Sequence, residues 1–223
     1  MKQEDAKTVI AKRVAMEFSN GDVVNLGIGL PTLAVNHLPE EVCVVFHSEN
    51  GFVGLAPAGD DVNPNLVNAG AQPCGLIPGA AMFDSAMSFA LIRGGHVDMT
   101  VLGGLQVDEE GNLANWTIPG KLIPGMGGAM DLVVGAKRVI VAMEHRSKDG
   151  SPKILKKCTL PLTGKGVVNM IITELGVFSV GQEGLMLEEI MPGITLEEIQ
   201  LATEAEFSVS PAVKNMKNCR LEE

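Results

Sequence analysis

A chain of 223 residues, 46% of them hydrophobic and 20% charged, can bury a full core as one domain and is not disordered. Aromatic residues make up 4%, with no tyrosine and one tryptophan, and the formal charge is -10. The stacking rings and basic face of a nucleic-acid reader are therefore missing.

The N-terminal segment sets Ile10, Val14 and Phe18 at four-residue steps, the period of an amphipathic helix and not of a signal peptide. Asn20 to Asp22 stop it, with Gly21 suited to the position after a helix end. "VVNLGIGLPT" then predicts a short strand, a Gly-rich turn and a helix with Pro31 as its first residue. "EVCVVF", residues 41–46, is a continuous apolar run, as expected of a strand covered on both faces. Helix, strand, helix, strand points to an α/β fold with an open, mainly parallel sheet and flanking helices.

Residues 66–83 read as loop, punctuated by Gly and Pro. "DSAMSFALIRGG" follows as a helix opened by Asp84 or Ser85 and closed by Gly94-Gly95. "HVDMTVLGGLQV" supplies one or two strands, Asp108 to Asn112 a turn, and "LANWTI" a further short strand. A second Gly-rich loop opens a helix near Ala129, and Arg138 to Met143 form the next buried strand. "VVNMIIT" and "GVFSV" read as strands, and Thr195 with Glu198 as a capping box. The expected organisation is one domain over residues 1–223 with a polar, frayed tail at about 214–223. No apolar stretch is long enough to span a membrane.

The four cysteines, Cys43, Cys74, Cys158 and Cys219, form no C-x-x-C pair; with no secretory leader, they read as reduced thiols of a cytoplasmic protein. The four histidines, His37, His47, His96 and His145, show no metal-binding spacing, so they read as surface or satisfied structural groups and no metal is expected. No G-x-S-x-G elbow is present. Cys43, inside an apolar run, reads as a small unreactive core residue, and Cys74 as a loop residue with no nucleophile signature. "GIGLPT" lacks the third glycine of a dinucleotide fingerprint; its amides can hold an anion at a helix start, or its glycines simply make a tight turn. Glu49 stands just past the end of a buried strand, where open parallel sheets bind ligands, with Asn50-Gly51 marking a sharp turn beside it. An exposed loop glutamate is the ordinary alternative.

Five motifs, "NLGIGLPT", "SENG", "LIRGGHVD", "VLGGLQVDEEGNLANW" and "GMGGAMDL", in order and at close spacing, resemble the B (β) subunit of family I coenzyme A transferases. The nearest branch is the 3-oxoacid, acetate–acetoacetate or butyrate–acetoacetate group. The resemblance implies that Glu49, the glutamate of S-E-N-G, is a nucleophile in a ping-pong cycle passing through an acyl-glutamyl anhydride and a glutamyl-CoA thioester. It also implies a short-chain acid and an acyl-CoA as substrates and no cofactor, coenzyme A being a substrate. The implied partner is a separate A (α) subunit of similar fold, commonly in an α2β2 assembly with the active site between the two kinds of chain.

Such a cycle needs an oxyanion hole and exclusion of water, and one well-placed donor is worth about 3 kcal/mol. The "GMGGAM" backbone makes Gly128 and Ala129 the candidate donors, with Gly127 close behind. Glu49 must be ionised to attack, which asks for a nearby donor such as the amide of Asn50 or Gly51. Asn25, Gly27 and Gly29 are further candidates for the substrate crevice. An acyl-CoA hydrolase using the same carboxylate, and a non-catalytic subunit of an α/β assembly, are the rival readings.

Overall fold

The computed structural model describes residues 3–60, 63–120, 125–217 and 219. Helix α1 (Gln3–Ala15) buries Val9, Ile10 and Val14 completely. It ends earlier than its period suggests, because the amides of Met16 and Glu17 turn back to the carbonyls of Arg13 and Val14. Phe18 lies beyond that end, yet it still reaches the core, edge to face with Phe46 at 6.3 Å.

Strand β1 (Val23–Leu26) leads into a 3-10 helix (Leu30–His37) with Pro31 in its first turn, where the sequence predicted an ordinary helix. Strand β2 (Val45–Ser48) starts later and runs further than the apolar run 41–46. Cys43 precedes it in an irregular lead-in, its amide held by Asn20 Oδ1 at 2.6 Å, and is exposed, so the expectation of a core thiol fails. Strands β3 (Phe52–Pro57) and β4 (Cys74–Met82) follow as an antiparallel pair, and β4 replaces much of the expected loop. Pro78 within β4 disguises a strand in the sequence, but β4 is the sheet's edge, where a missing amide interrupts no ladder.

Helix α2 (Ser85–Arg93) is capped by the Asp84 carboxylate, which accepts from the Met87 amide at 2.8 Å. Strands β5 (Met99–Leu102), β6 (Gln106–Asp108) and β7 (Leu113–Ala114), helix α3 (Ala129–Gly135) and strands β8 (Arg138–Ala142) and β9 (Ile154–Leu155) come next. The chain closes with β10 (Met170–Ile172), β11 (Gly176–Gly181), β12 (Gly184–Ile190), helix α4 (Leu196–Ala202) and β13 (Phe207–Asn215). The Thr195–Glu198 capping box opens α4 as predicted.

The large sheet runs β13-β12-β11-β10-β8-β5-β1-β2-β3-β4, and its five central strands, β10 to β2 in that order, are parallel. A smaller sheet, β7-β6-β9, packs beside it. Alternate residues of β8 serve two cores: Val139 and Val141 join α2, α3 and α4, while Ile140 and Ala142 join α1 and the 3-10 helix. Burial on both faces explains the unbroken apolar strands and gives the expected α/β class with flanking helices. The tail is not frayed at its start. Lys214 and Asn215 pair with β12, and Met216 and Cys219 are buried, while residues 218 and 220–223 lie outside the described residues.

Candidate active site

The carboxyl ends of β1 and β2 set the site. These strands are parallel neighbours with Asn25 opposite His47. Both side chains are buried, and Glu49 follows one residue after β2 ends. The turn beyond it admits only glycine at position 51, where φ is 129° and a Cβ would sit 2.1 Å from the Phe83 carbonyl oxygen. The Gly51 amide donates to Ser48 O at 3.0 Å, and Asn50 Nδ2 donates to Val67 O at 2.7 Å. The Gly51 amide and the Asn50 side chain therefore anchor the turn and leave Glu49 half-buried over the strand ends. The donor that meets Glu49 is instead Asn25, whose Nδ2 lies 3.0 Å from Oε2.

Behind this pair the polar contacts continue inward. Asn25 Nδ2 is 3.2 Å from His47 Nδ1 and 3.3 Å from His47 O, and His47 Nε2 is 3.0 Å from Ser88 Oγ on α2. Burial lowers the His47 pKa, against the opposing pull of the Glu49 charge, so the ring is held neutral.

The second Gly-rich loop comes to the same place. A Cβ at Gly128 would lie 3.2 Å from both Glu49 Cγ and Phe89 Cζ, and one at Gly127 would lie 3.8 Å from Glu49 Oε1. Bare backbone thus closes on the carboxylate from the start of α3. The Ala129 amide donates to Met126 O at 3.2 Å, so it is not a free donor as it stands.

Together these residues face a cleft of about 590 Å³. Asn25, Gly27, Glu49, Gly127 and Ala129 line it, as do Leu26, Leu55, Leu102, Met126 and Trp116, which form an apolar wall. The structure thus unites most of the sequence candidates. Gly29 is not among the lining residues: it is exposed and begins the 3-10 helix with φ 89°. The Gly27 amide belongs to the sheet, donating to Val101 O at 2.8 Å, and is not offered to an anion.

Sequence reasoning missed His47, Ser88 and Cys74. Cys74 lines the cleft, and burial pushes its thiol pKa up, away from the reactive thiolate. Among the described residues no cluster of three His, Cys, Asp or Glu side chains can hold a metal, and no helix is long and apolar enough to cross a membrane.

The sequence profile of the coenzyme A transferase family matches residues 7–202. The chain is 61% identical over 206 residues to the β subunit of acetate CoA-transferase from Escherichia coli K12, covering 92% of this chain and 95% of that one. It is 49% identical over 215 residues to the B (β) subunit of a probable succinyl-CoA:3-ketoacid coenzyme A transferase from Bacillus subtilis 168, covering 95% and 99%. An acyl-CoA transferase structure from Escherichia coli O157:H7 shares the fold with a TM-score of 0.77 at 23% identity; 96% of this chain covers 43% of that longer one. With a match of this extent, the chain belongs to the coenzyme A transferase family.

Proposed function

We propose that the chain is the β subunit of a CoA-transferase that moves coenzyme A between an acyl-CoA and a short-chain carboxylic acid through a thioester on Glu49. The observation that supports this most directly is the placement of the Glu49 carboxylate, in the cleft, 3.0 Å from one amide donor and packed against bare glycine backbone. A carboxylate is a weak nucleophile toward a thioester, but the anhydride it forms stores the acyl energy that hydrolysis would dissipate.

Glu49 attacks the thioester carbonyl, and the tetrahedral intermediate expels CoA thiolate to leave an acyl-glutamyl anhydride. The thiolate then attacks the glutamyl carbonyl, releasing the first acid and leaving glutamyl-CoA. A second acid reverses both steps and departs as its CoA ester. Each intermediate carries an oxyanion, for which the Gly128 backbone amide is the nearest candidate donor at the start of α3. The apolar wall of Leu26, Leu55, Leu102 and Met126 keeps water from the anhydride and suits a short acyl chain. The cycle asks for no metal and no redox cofactor.

Both relatives are the β-type member of a two-part enzyme by name, which supports an A (α) subunit as partner, in an α2β2 heteromer whose other chain covers the cleft. Their names also favour acetate and 3-oxoacids such as acetoacetate as exchanged acids, in cytoplasmic short-chain acid or ketone-body metabolism. The test is the co-expressed complex with Glu49→Ala. Transfer should fall by at least about ten-thousandfold while assembly persists, and borohydride or hydroxylamine after acyl-CoA should change the mass of the Glu49 peptide only in the wild type. Residual transfer near wild-type rates, or an unchanged peptide, defeats the proposal.

A further inference from the structure

The polar contacts beneath Glu49 form a chain with a single direction. Ser88 Oγ has the Ser48 carbonyl oxygen within 3.5 Å, and a carbonyl can only accept, so the hydroxyl proton points there. The Ser88 oxygen is then the acceptor for His47 Nε2–H at 3.0 Å, which leaves His47 Nδ1 without a proton. An unprotonated Nδ1 accepts, and what it faces at 3.2 Å is the NH2 of Asn25. The remaining Asn25 hydrogen meets Glu49 Oε2 at 3.0 Å.

The amide of Asn25 is therefore surrounded on its nitrogen side by three acceptors, His47 Nδ1, His47 O and Glu49 Oε2. Its own Oδ1 is buried and has no partner among the described residues. A buried carbonyl oxygen left unpaired persists only where the opposite orientation is worse. Here the flipped amide would turn that oxygen onto the nucleophile and onto two further acceptors. If His47 carried a proton on Nδ1, that preference would reverse, and the carboxylate would lose its donor. Burial of His47 opposes that protonation.

We infer that His47, held by Ser88, is a positioning residue for the transfer reaction: it fixes which face of the Asn25 amide meets Glu49, and so aims and keeps charged the attacking carboxylate. The inference rests on the reading of Glu49 as nucleophile. Neither His47 nor Ser88 needs to touch the substrate for this role, and no proton need move along the chain during turnover. The role is geometric, and small misplacements of a nucleophile cost about a hundredfold in rate.

The experiment measures the single-turnover rate constant for adduct formation on the Glu49 peptide in the co-expressed complex, with acetoacetyl-CoA as probe. His47→Leu removes both ring partners, His47→Asn keeps an acceptor near the Nδ1 position, and Ser88→Ala frees the ring to change tautomer. His47→Leu should lower the rate constant about ten- to hundredfold, with the half-saturating probe concentration and melting temperature close to wild type. His47→Asn should recover most of that loss, and Ser88→Ala should show a smaller loss of the same kind.

A merely structural role would lower the melting temperature and the fraction labelled but leave the rate constant of the labelled fraction unchanged, and that result overturns the inference. If His47→Leu does not fold, Ser88→Ala decides by the same criterion. Wild-type adduct on Glu49 with all variants at wild-type rate sinks the positioning role alone. No adduct on Glu49 in the wild type sinks the nucleophile, and the positioning role with it.

Discussion

Gly128 leaves no room for a side chain. A methyl group there would stand 3.2 Å from Glu49 Cγ and from Phe89 Cζ at once, so neither neighbour can retreat without disturbing the other. Gly128→Ala is therefore expected to cost little stability, on the order of 1 kcal/mol, but to lower kcat about tenfold or more by displacing the carboxylate. Gly181, whose added Cβ would meet nothing within 4 Å, supplies the control, and Gly181→Ala should leave kcat unchanged. Steady-state kinetics of the two complexes checks the pair; equal kcat values would show that the carboxylate tolerates the displacement. At this scale the motifs were legible in the sequence because glycine runs at strand and helix ends have few explanations. The Asn25 donor was legible only as a candidate, since its contact with Glu49 depends on β1 lying beside β2, a pairing across 22 residues that no local pattern encodes. His47 looked like an ordinary core histidine for the same reason.

Among the elements, β4, β12 and β13 were the hardest to read. Residues 184–190 alternate Leu185, Leu187 and Glu189 inward, and an acid at an inward position hides the strand period. The structure resolves this through α1, because Arg13 Nε meets Glu189 Oε2 at 2.8 Å and Lys214 on β13 adds a contact at 3.4 Å. Arg13 also holds Glu17 at 2.6 Å, which in turn holds Arg138 at 2.6 Å, so the first helix is tied to β8 and β12 by charge as well as by its apolar face. Arg13→Met strands a nearly buried carboxylate and should cost about 3 kcal/mol, whereas adding Glu189→Leu should restore much of the loss by removing the unpaired charge. Urea unfolding of the single and double variants measures this, and additive losses would show that the two side chains do not act as a pair. By contrast the helices and the strands of the parallel centre were readable, because their apolar periods and caps are local.

For the molecule as a whole, one buried imidazole sets a limit on acid tolerance. His145 follows β8 and bridges Thr173 Oγ1 and Thr203 Oγ1, each at 2.9 Å, so it joins the end of β10 to the end of α4. Burial, followed by the charges of Arg146 and Lys153, lowers its pKa to about 4. In the unfolded chain the same group titrates near about 6.5. Between those values the unfolded state binds a proton that the folded state does not, so stability rises with pH across the window. The contribution is complete above about pH 6.5 and is lost progressively as pH falls toward about 4, roughly 3 kcal/mol in all. Glu174, whose Oε2 accepts from the His145 amide at 2.9 Å, has its pKa raised, chiefly by burial, and acts in the opposite sense just above the usual carboxylate range. The net slope of the wild type therefore mixes two groups, and the informative quantity is its difference from His145→Gln. That variant removes the imidazole and leaves Glu174 in place. Its unfolding free energy should fall less steeply than that of the wild type between about pH 6.5 and pH 4. Parallel slopes would mean that the imidazole takes up its proton without unfolding the link between the sheet and α4.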